Sequence, residues 1–311
     1  MSSSIEISAV INTRNESESL KKCLHSLKGF ADEIIVVDMH SSDDSQKIAD
    51  KYGAKIYPYK WMKVVEPARN FGISKATGKW IILLDPDEIL PTSLKQELKK
   101  ITYRTDVDYV KIPRKNIIFN KWIRHSNSWP DYLIRFFKKG HVKWLKEVHS
   151  QPEVNGNGIN LLDSEKLAIR HYNYNSINSF IYKALRYASV KADEQIALDY
   201  KLKTSDFLLR PVQEFNSRFF ASEGYKDGLH GLLFSILQSI SIELIYLKIW
   251  EKQGFQDKPL PKESFVSASQ ETVYEYSYWF TRYFSKEYTG NFVKKIFVSI
   301  RHRFDRLTKN F

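Results

Sequence analysis

The sequence predicts an α/β fold in which a mostly parallel central sheet precedes a helical C-terminal extension. Three observations lead to this class. In the first third of the chain, short apolar runs alternate with stretches of helical character. The runs EIIVVD and KWIILLD are apolar almost throughout, as expected of strands buried on both faces of a parallel sheet. From residue 176 onward the pattern becomes helical.

The elements alternate as right-handed strand–helix–strand crossovers require. Strands are predicted at 5–11, 33–38, 54–59 and 79–85, with helices at 15–28, 44–52 and 67–76. Each helix is followed by a glycine, a common helix stop, at Gly29, Gly53 and Gly78. Two further strands are predicted at 109–118 and 133–137. We divide the chain into a sheet core at 1–115, a second part at 116–205 and a helical, basic region at 206–311.

Composition bounds the class of partner. The chain has 311 residues, of which 42% are hydrophobic, so it is not disordered by composition. A net charge of +12 suits polyanions such as nucleotide phosphates, nucleic acid or an anionic membrane. The N-terminus, MSSSIEISAV, has neither basic residues nor a long apolar run. A secretory signal is therefore not predicted, and we expect a cytoplasmic protein.

Polar residues cluster where three predicted strands end. The clusters are 12–16 (NTRNE), 38–43 (DMHSSD) and 85–88 (DPDE). In doubly wound sheets, ligands bind outside the carboxyl ends of the strands. Loops are often polar, but that alone does not explain why Asp38 and Asp85 each end an apolar strand. We therefore expect one shared ligand site at this edge.

The third loop has the chemistry of a metal site. Asp85 and Asp87 are two residues apart on a tight turn. Carboxylate oxygens of this kind suit a hard divalent cation, Mg²⁺ or Mn²⁺. A site with one or two protein carboxylates leaves positions that a diphosphate can fill, and the metal then neutralises charge on a departing phosphate.

These segments, with others along the chain, resemble those of a known family. Residues 5–101 look like family 2 glycosyltransferases of the GT-A fold, a Rossmann-like α/β layer. The matching segments are NTRNE (12–16), IIVVDMHSSDDS (34–45) and ARNFGISKATGKWIILLDPDE (68–88). The bacterial subgroup that builds lipopolysaccharide core and related surface glycans is also similar beyond residue 101. Those segments are RKNIIFNKWIRH (114–125), PDYLIRFFKKG (130–140) and RHYNY (170–174).

The resemblance implies an inverting transfer of a sugar, with UDP as the default nucleotide and a hexose as the sugar. It implies that Asp38 binds the base or ribose, that Asp85 touches ribose and metal, and that Asp87 is the main metal ligand. The remaining nucleotide-sugar-binding residues that it implies are Thr13, Asn15, Glu16 and Arg69. A solvated helix arginine is the alternative for Arg69. It makes residues 1–115 the nucleotide-sugar-binding core and 116–205 the acceptor-binding and catalytic part.

The resemblance also implies a carboxylate that takes the proton of the acceptor hydroxyl. Asp131 is the candidate, because it matches the Pro-Asp of the subgroup; a turn aspartate after proline is the alternative. Glu147 and His149 compete for this role, although the chain has His149-Ser150 where the subgroup usually has His-Glu.

One histidine and two tryptophans each have two interpretations. His171 could complete the metal shell or touch the diphosphate, or it could be structural. Trp129 and Trp122 could stack on a sugar face, or they could pack in the core.

Two C-terminal segments bear on membranes. Residues 229–250 have the length of a membrane span. Because they include Glu243 and Lys248, we expect a packed or interfacial helix instead. Residues 291–311 form a basic amphipathic pattern that suits an anionic membrane surface, with a solvated surface helix as the alternative. We therefore expect a peripheral protein on the inner face of the cytoplasmic membrane.

The leading interpretation is a glycosyltransferase that acts on a cell-surface glycan or a lipid-linked precursor. A protein or peptide glycosyltransferase of the same fold is the nearest alternative. A nucleotidyltransferase is disfavoured, because its first loop is usually rich in glycine and NTRNE has none. A non-enzymatic scaffold is disfavoured because Asp38, Asp85 and Asp87 are all present. No motif supports a nucleic-acid partner.

Overall fold

The computed structural model describes residues 5–62, 65–145 and 152–287, with side chains as far as residue 283. The chain divides into two compact units. Unit 1 comprises Met1–Arg124 and Ser128–Asn175, and unit 2 comprises His125–Asn127 and Ser176–Phe311. The three-part division made from the sequence stays a prediction.

Unit 1 is built on a ten-stranded sheet. Its strands in chain order are β1 (Ile7–Thr13), β2 (Glu33–Asp38), β3 (Lys55–Pro58), β4 (Trp80–Leu84), β5 (Glu88–Ile89), β6 (Tyr109–Ile118), β7 (Lys121–Trp122) and β8 (Asp131–Lys138). They are followed by β9 (Val142–Lys143), β10 (Glu153–Val154), β11 (Gly158–Asn160) and β12 (Ile169–Tyr174). The helices of this unit are α1 (Ser17–Leu27), α2 (Ser45–Lys51), α3 (Glu66–Lys75) and α4 (Thr92–Thr102).

The sheet has a parallel half and a mixed half. Its order is β3-β2-β1-β4-β8-β6-β12-β5, with β7 and β11 also paired to β6, while β9 and β10 form a separate hairpin. Strands β1 to β4 are all parallel, which confirms the α/β class. β8 runs antiparallel to both β4 and β6, so the sheet becomes mixed beyond β4. The alternation of helix and strand ends after α4, and no crossover helix separates β6 from β8.

Two apolar layers cover the sheet. One packs the α1 stripe of Leu20, Cys23, Leu24 and Leu27 against Ile11 and its neighbours. The other packs α3 against Val10 and Val37. Successive residues of a strand point to opposite faces, so β1, in which every residue is buried, contributes side chains to both layers.

A glycine lets α3 lie close to the strands. A Cβ at Gly72 would lie 2.6 Å from Cγ1 of Val10 and 2.9 Å from Cγ2 of Val37. Any larger residue would therefore push the helix away from the sheet. This close approach matters for the site because α3 also presents Arg69.

Unit 2 is helical. Its long helices are α5 (Ile177–Ala197), α6 (Thr204–Asn216), α7 (Leu229–Lys252) and α8 (Lys262–Glu287). α5 begins with a capping box in which the Ser176 hydroxyl accepts a hydrogen bond from the backbone N–H of Ser179. Within the same unit, the backbone N–H of His125 donates to Oδ2 of Asp227 at 2.8 Å.

α7 is the segment that the sequence singled out at 229–250. By length and composition it could cross a membrane, and it is the one helix of the described residues that passes this test. Its exposed apolar side chains recur three, four or seven residues apart, at Leu229, Leu233, Ile236, Ile240, Leu247 and Trp250. The amphipathic segment predicted at 291–311 lies outside the described residues.

Candidate active site

The ends of β1 and β2 place two buried polar side chains side by side. Thr13 pairs with Asp38 in the parallel register, and the backbone N–H of Met39 donates to the carbonyl of Thr13 at 2.9 Å. Both side chains are 1% exposed. Within the described part of the chain, Oγ1 of Thr13 and Oδ1 of Asp38 have no hydrogen-bond partner, nor has either amide atom of Asn12. A buried polar atom without a partner destabilises the fold, so this cluster fits a ligand that supplies the missing bonds.

The other oxygen of Asp38 is anchored. Oδ2 accepts hydrogen bonds from the backbone N–H of Ser41 at 3.1 Å and from Nε2 of Gln46 at 2.8 Å. These bonds fix the orientation of the carboxylate. The unpaired Oδ1 is therefore held in place for a donor from outside.

The loops after β1 and β2 brace one another. Oδ1 of Asn15 accepts from the backbone N–H of Ser42 at 2.7 Å, and the backbone N–H of Asn15 donates to Oγ of Ser41 at 3.0 Å. The backbone N–H of Glu16 donates to Oγ of Ser45 at 3.2 Å. Asn15 has φ of 55°, a left-handed conformation that asparagine tolerates better than most residues. Asn15 and Glu16 thus tie the segment after β1 to the segment after β2.

Asp85 lies between two arginines. Nη2 of Arg69 donates to its Oδ1 at 2.9 Å, and Nη2 of Arg135 bonds its Oδ2. Arg135 is itself buried and also donates to Oε1 of Glu88 at 2.9 Å. Burial raises the pKa of Asp85, but the Arg135, Arg69 and Arg114 guanidiniums outweigh it and hold that pKa well below its usual range. Asp85 is therefore a carboxylate at neutral pH.

Asp87, two residues on, faces a histidine instead. Nε2 of His171 lies 3.5 Å from Oδ1 of Asp87, and the two side chains are 7% and 13% exposed. β12 pairs with β5 so that His171 is opposite Glu88, and the backbone N–H of Tyr172 donates to the carbonyl of Asp87 at 2.9 Å. Imidazole nitrogen and carboxylate oxygen together suit a cation such as Mn²⁺. The donor set thus fits a divalent metal held by two protein groups.

A fuller protein shell is not present in the described ranges. No group of three or more His, Cys, Asp or Glu side chains converges there as a metal site. Asp85 was predicted as a second carboxylate ligand, but its oxygens accept from Arg69 and Arg135. Its metal role stays a prediction.

Asp131 begins β8, directly opposite Arg114 of β6. Nε of Arg114 donates to Oδ2 of Asp131 at 2.8 Å, and Nδ2 of Asn116 donates to the same oxygen at 3.0 Å. Burial raises the pKa of Asp131, but the charge of Arg114 and these hydrogen bonds outweigh it and lower the pKa. Asp131 is therefore ionised at neutral pH, and none of these bonds uses its second oxygen, Oδ1.

The two tryptophans of the aromatic stretch pack on each other. Trp122 and Trp129 meet edge to face with ring centroids 5.1 Å apart. Two cations also lie over the Trp122 ring, Lys115 at 4.5 Å and Arg124 at 4.0 Å from its centroid. These contacts favour packing for Trp122, while the acceptor role of Trp129 stays a prediction.

Sequence reasoning assigned no role to four polar residues of this site. They are Glu88, Arg114, Asn116 and Arg135. One signal was available, since Arg135 interrupts the apolar run LIRFF of β8. Two predicted residues, Glu147 and His149, lie outside the described residues.

Comparisons with known proteins bear on the family. Residues 8–155 match the family model described as glycosyl transferase family 2. An uncharacterized glycosyltransferase of Rickettsia conorii is 27% identical over 79% of this chain and 90% of its own length. The lipopolysaccharide core biosynthesis glycosyltransferase LpsC of Rhizobium meliloti is 23% identical over 82% of this chain and 96% of its own.

Two solved structures are also similar to this chain, at lower sequence identity. TarS of S. aureus, residues 1–349, is 13% identical with a TM-score of 0.43, over 83% of this chain and 94% of that one. Glucosyl-3-phosphoglycerate synthase of Mycobacterium tuberculosis, crystallised with Mn²⁺ and UDP, is 22% identical with a TM-score of 0.30. That match covers 34% of this chain and 43% of the other.

Proposed function

Since this chain belongs to glycosyltransferase family 2 and has its GT-A fold, we propose that it transfers a hexose from UDP-hexose, with inversion, to a cell-surface glycan or a lipid-linked acceptor. The observation that carries the proposal is the carboxyl edge of the sheet. There, buried polar atoms of Thr13 and Asp38 lack partners in the described part of the chain, beside an Asp87–His171 pair suited to a divalent cation.

The nucleoside fits the first group of residues. Oδ1 of Asp38 can accept a hydrogen bond from a ribose hydroxyl or a base N–H, and Oγ1 of Thr13 can donate or accept in the same pocket. Arg69 is near the diphosphate in this scheme, and its Nε is buried without a partner among the described residues. Every bond that the nucleotide makes here satisfies a group that the fold leaves unsatisfied, which favours affinity.

The diphosphate and metal fit the second group. We assign Asp87 and His171 as the protein ligands of Mg²⁺ or Mn²⁺, with phosphate oxygens and water supplying the other positions. A cation bound there would neutralise the charge that collects on the leaving diphosphate. The ionised Asp85 keeps Arg69 and Arg135 in fixed positions beside this loop.

Asp131 is the proposed general base. The acceptor oxygen forms a bond to the anomeric carbon on the face opposite the diphosphate. The bond from that carbon to the phosphate oxygen breaks, its electron pair leaves with UDP, and Asp131 takes the hydroxyl proton. Its lowered pKa keeps Asp131 in the carboxylate form at neutral pH, the form that a general base requires. Arg114 and Asn116 hold it through Oδ2, so Oδ1 is the oxygen assigned to the proton.

Three observations bear on the acceptor class and the location. LpsC is named for lipopolysaccharide core biosynthesis, and a net charge of +12 suits an anionic membrane surface. The apolar stripe of α7 would suit the same surface. We therefore propose a cytoplasmic enzyme that works at the inner face of the membrane. A protein or peptide acceptor is the alternative outcome of the acceptor assay.

A nucleotide panel tests the donor half. Thermal unfolding is measured with UDP, GDP, CDP and ADP, each with Mn²⁺ or with EDTA. A ligand at 100 times its Kd stabilises the fold by about 2.7 kcal/mol, which raises Tm by a few degrees. We expect a shift with UDP that needs Mn²⁺ and is absent in Asp87→Ala. The matched control is Asp106→Ala, which removes an exposed aspartate paired with Arg104. No shift with any nucleotide in the folded wild type would contradict the proposal.

A transfer assay tests the chemistry. The enzyme is given UDP-hexose with a membrane lipid extract, with an isolated surface glycan, or with a peptide mixture. NMR of the product reports the anomeric configuration, which inverts if the transfer is a single displacement. Asp131→Asn should lower kcat by about 10²–10⁴-fold, the usual contribution of a general base. Its affinity for UDP should stay within about twofold. Retained configuration, or an Asp131→Asn variant with wild-type kcat, would reject the mechanism.

A further inference from the structure

We infer that Asn116 is a positioning residue that fixes the tautomer of His171 and the orientation of Asp131 at the same time. The inference rests on the proposed function, since it assigns a common support to the metal-binding histidine and the base. Asn116 lies on β6 and is 7% exposed. It is the one side chain of the described residues that bonds both groups.

The sheet register brings these groups together. β12 runs parallel to β6 with His171 opposite Asn116, and β8 runs antiparallel to β6 with Asp131 opposite Arg114. Arg114 and Asn116 are two residues apart on one strand, so their side chains point to the same face. That face of β6 therefore presents both of the groups that hold Oδ2 of Asp131.

The orientation of the amide follows from its partners. On one side, Asn116 meets two acceptors, the carbonyl of Ser128 at 3.2 Å and Oδ2 of Asp131 at 3.0 Å. Only an NH₂ group can bond both, so Nδ2 faces this side and Oδ1 faces Nδ1 of His171, 2.6 Å away. A flipped amide would place an oxygen against a carboxylate and a carbonyl.

The tautomer of His171 follows in turn. Because Oδ1 of Asn116 can only accept, Nδ1 of His171 must donate and therefore bears a hydrogen. In the neutral ring the lone pair is then on Nε2, the nitrogen that faces Asp87 at 3.5 Å. The opposite tautomer would point a hydrogen at the metal position. Asn116 thus prepares His171 as a ligand, in the way that outer-shell groups orient metal-binding histidines.

The tautomer can be read directly by NMR on the wild type. The chain has 8 histidines, and after ¹⁵N-histidine labelling the His171 signals are those missing from His171→Gln. At pH 8.5, without metal, we expect a protonated Nδ1 and an unprotonated Nε2 for His171. The Nε2–H tautomer would overturn the inference, and this experiment needs neither metal nor substrate.

Two substitutions separate the effect of Asn116 on His171 from its effect on Asp131. Asn116→Asp keeps an acceptor for His171 but replaces the donor to Asp131 with a repelling oxygen. Asn116→Ala removes both. We expect Asn116→Asp to bind Mn²⁺ with UDP no more weakly than the wild type, while its kcat falls at least tenfold. We expect Asn116→Ala to lose about 10–100-fold in Mn²⁺ affinity, the usual effect of removing an outer-shell partner, as well as kcat.

The matched control is Tyr132→Phe, one residue along β8 from Asp131. It removes the hydrogen bond from the Tyr132 hydroxyl to the carbonyl of Leu161, and both kcat and Mn²⁺ affinity should stay within about twofold. Mn²⁺ affinity is read by EPR. If Asn116 were merely structural, both variants would change Tm and leave Mn²⁺ affinity and kcat per folded molecule like the control. Failure of the wild type to bind Mn²⁺ with UDP would instead contradict the proposed function.

Discussion

Two regions of the sheet, the carboxyl ends of β1 and β2 and the junction of β4, β6 and β8, differ in how their carboxylates and neighbouring polar groups are paired. At the carboxyl ends of β1 and β2, the buried atoms Oγ1 of Thr13 and Oδ1 of Asp38 have no partner in the described part of the chain. Where β4, β6 and β8 adjoin, every buried or half-buried acid is paired. Arg135 bonds Asp85 and Glu88, and Arg114 bonds Asp131.

The difference separates two tasks within one sheet. Unpaired buried groups lower stability unless a ligand satisfies them, so the first region is built for binding. Paired carboxylates stay ionised and fixed in place, so the second region is built to hold charge where chemistry occurs. Asp85 and Asp87 lie at the junction, one held by arginines and the other facing His171.

The largest expected change in stability comes from removing Arg135, the cation that pairs with Asp85 and Glu88. Arg135→Met leaves the buried Glu88 and the half-buried Asp85 without their shared cation, while Arg114 still lies 3.4 Å from Glu88 and Arg69 2.9 Å from Asp85. The loss should therefore lie near the lower end of the about 3–5 kcal/mol that removal of one partner of a buried ion pair costs. Urea unfolding at pH 7 measures this loss. The control Arg104→Met removes an exposed arginine paired with Asp106, and it should cost less than about 1 kcal/mol.

Acid should reduce the difference in the free energy of unfolding between the wild type and Arg135→Met. The folded-state pKa of Asp85 lies below its unfolded value near ~3.9, so its stabilisation is present above that pH and is lost as the pH falls below it. Because Arg135→Met weakens the depression, the folded variant begins to protonate Asp85 at a higher pH, and it should lose less stability than the wild type as the pH falls from about 4 to about 2. Equal losses in the two proteins would show that Arg135 does not hold the Asp85 charge.

Glu33, a buried acid at the amino end of β2, contrasts with Asp38 at the carboxyl end of the same strand. Glu33 accepts hydrogen bonds from Lys55 at 2.7 Å, from the Ser8 hydroxyl at 2.6 Å and from the backbone N–H of Thr77 at 2.9 Å. Burial raises its pKa, but these bonds outweigh it and lower the pKa to about 2.

Glu33→Gln should therefore destabilise the fold by about 3 kcal/mol at pH 7, since each unit of pKa depression corresponds to about 1.4 kcal/mol. The depressed pKa means that this contribution is present above pH ~4.3 and disappears as the pH falls to about 2. UDP affinity should not change, because Glu33 lies at the other end of the strand. Urea unfolding across this pH range and calorimetry with UDP test both statements, and a loss of UDP affinity would contradict the division of the strand into two ends.

The smallest expected change in stability comes from Thr13→Val, which tests whether the carboxyl ends of β1 and β2 bind the nucleotide. Thr13→Val keeps the shape of the side chain and removes a hydroxyl that has no partner in the described residues. Stability should stay the same or rise slightly, because a buried unsatisfied group is removed. UDP affinity should fall about tenfold, equivalent to about 1.4 kcal/mol for one lost hydrogen bond. Unchanged affinity in calorimetry would mean that Thr13 does not meet the nucleotide.

The sequence predicted the parallel half better than the mixed half for a physical reason. Strands β2 and β4 are apolar almost throughout, and the carboxyl ends of parallel strands must share one edge of the sheet. Asp38 and Asp85 could therefore be placed by local pattern and one topological rule. The bonds of Arg114, Asn116 and Arg135 depend on the antiparallel register of β6 and β8 and on the return of β12. Those are long-range pairings that no local pattern encodes.

His171 shows the same limit. The sequence offered it as a metal ligand only by resemblance, because it lies far along the chain from Asp87. Their approach depends on the two-residue pairing of β5 with β12. A strand that short gives no periodic signal in the sequence.

The most direct test of the central claim is a crystal structure with UDP and Mn²⁺. The account predicts Mn²⁺ within bonding distance of Asp87 and His171, the diphosphate on that ion, and a nucleoside that donates to Oδ1 of Asp38. UDP bound elsewhere, or Mn²⁺ bound without contact to Asp87, would contradict it.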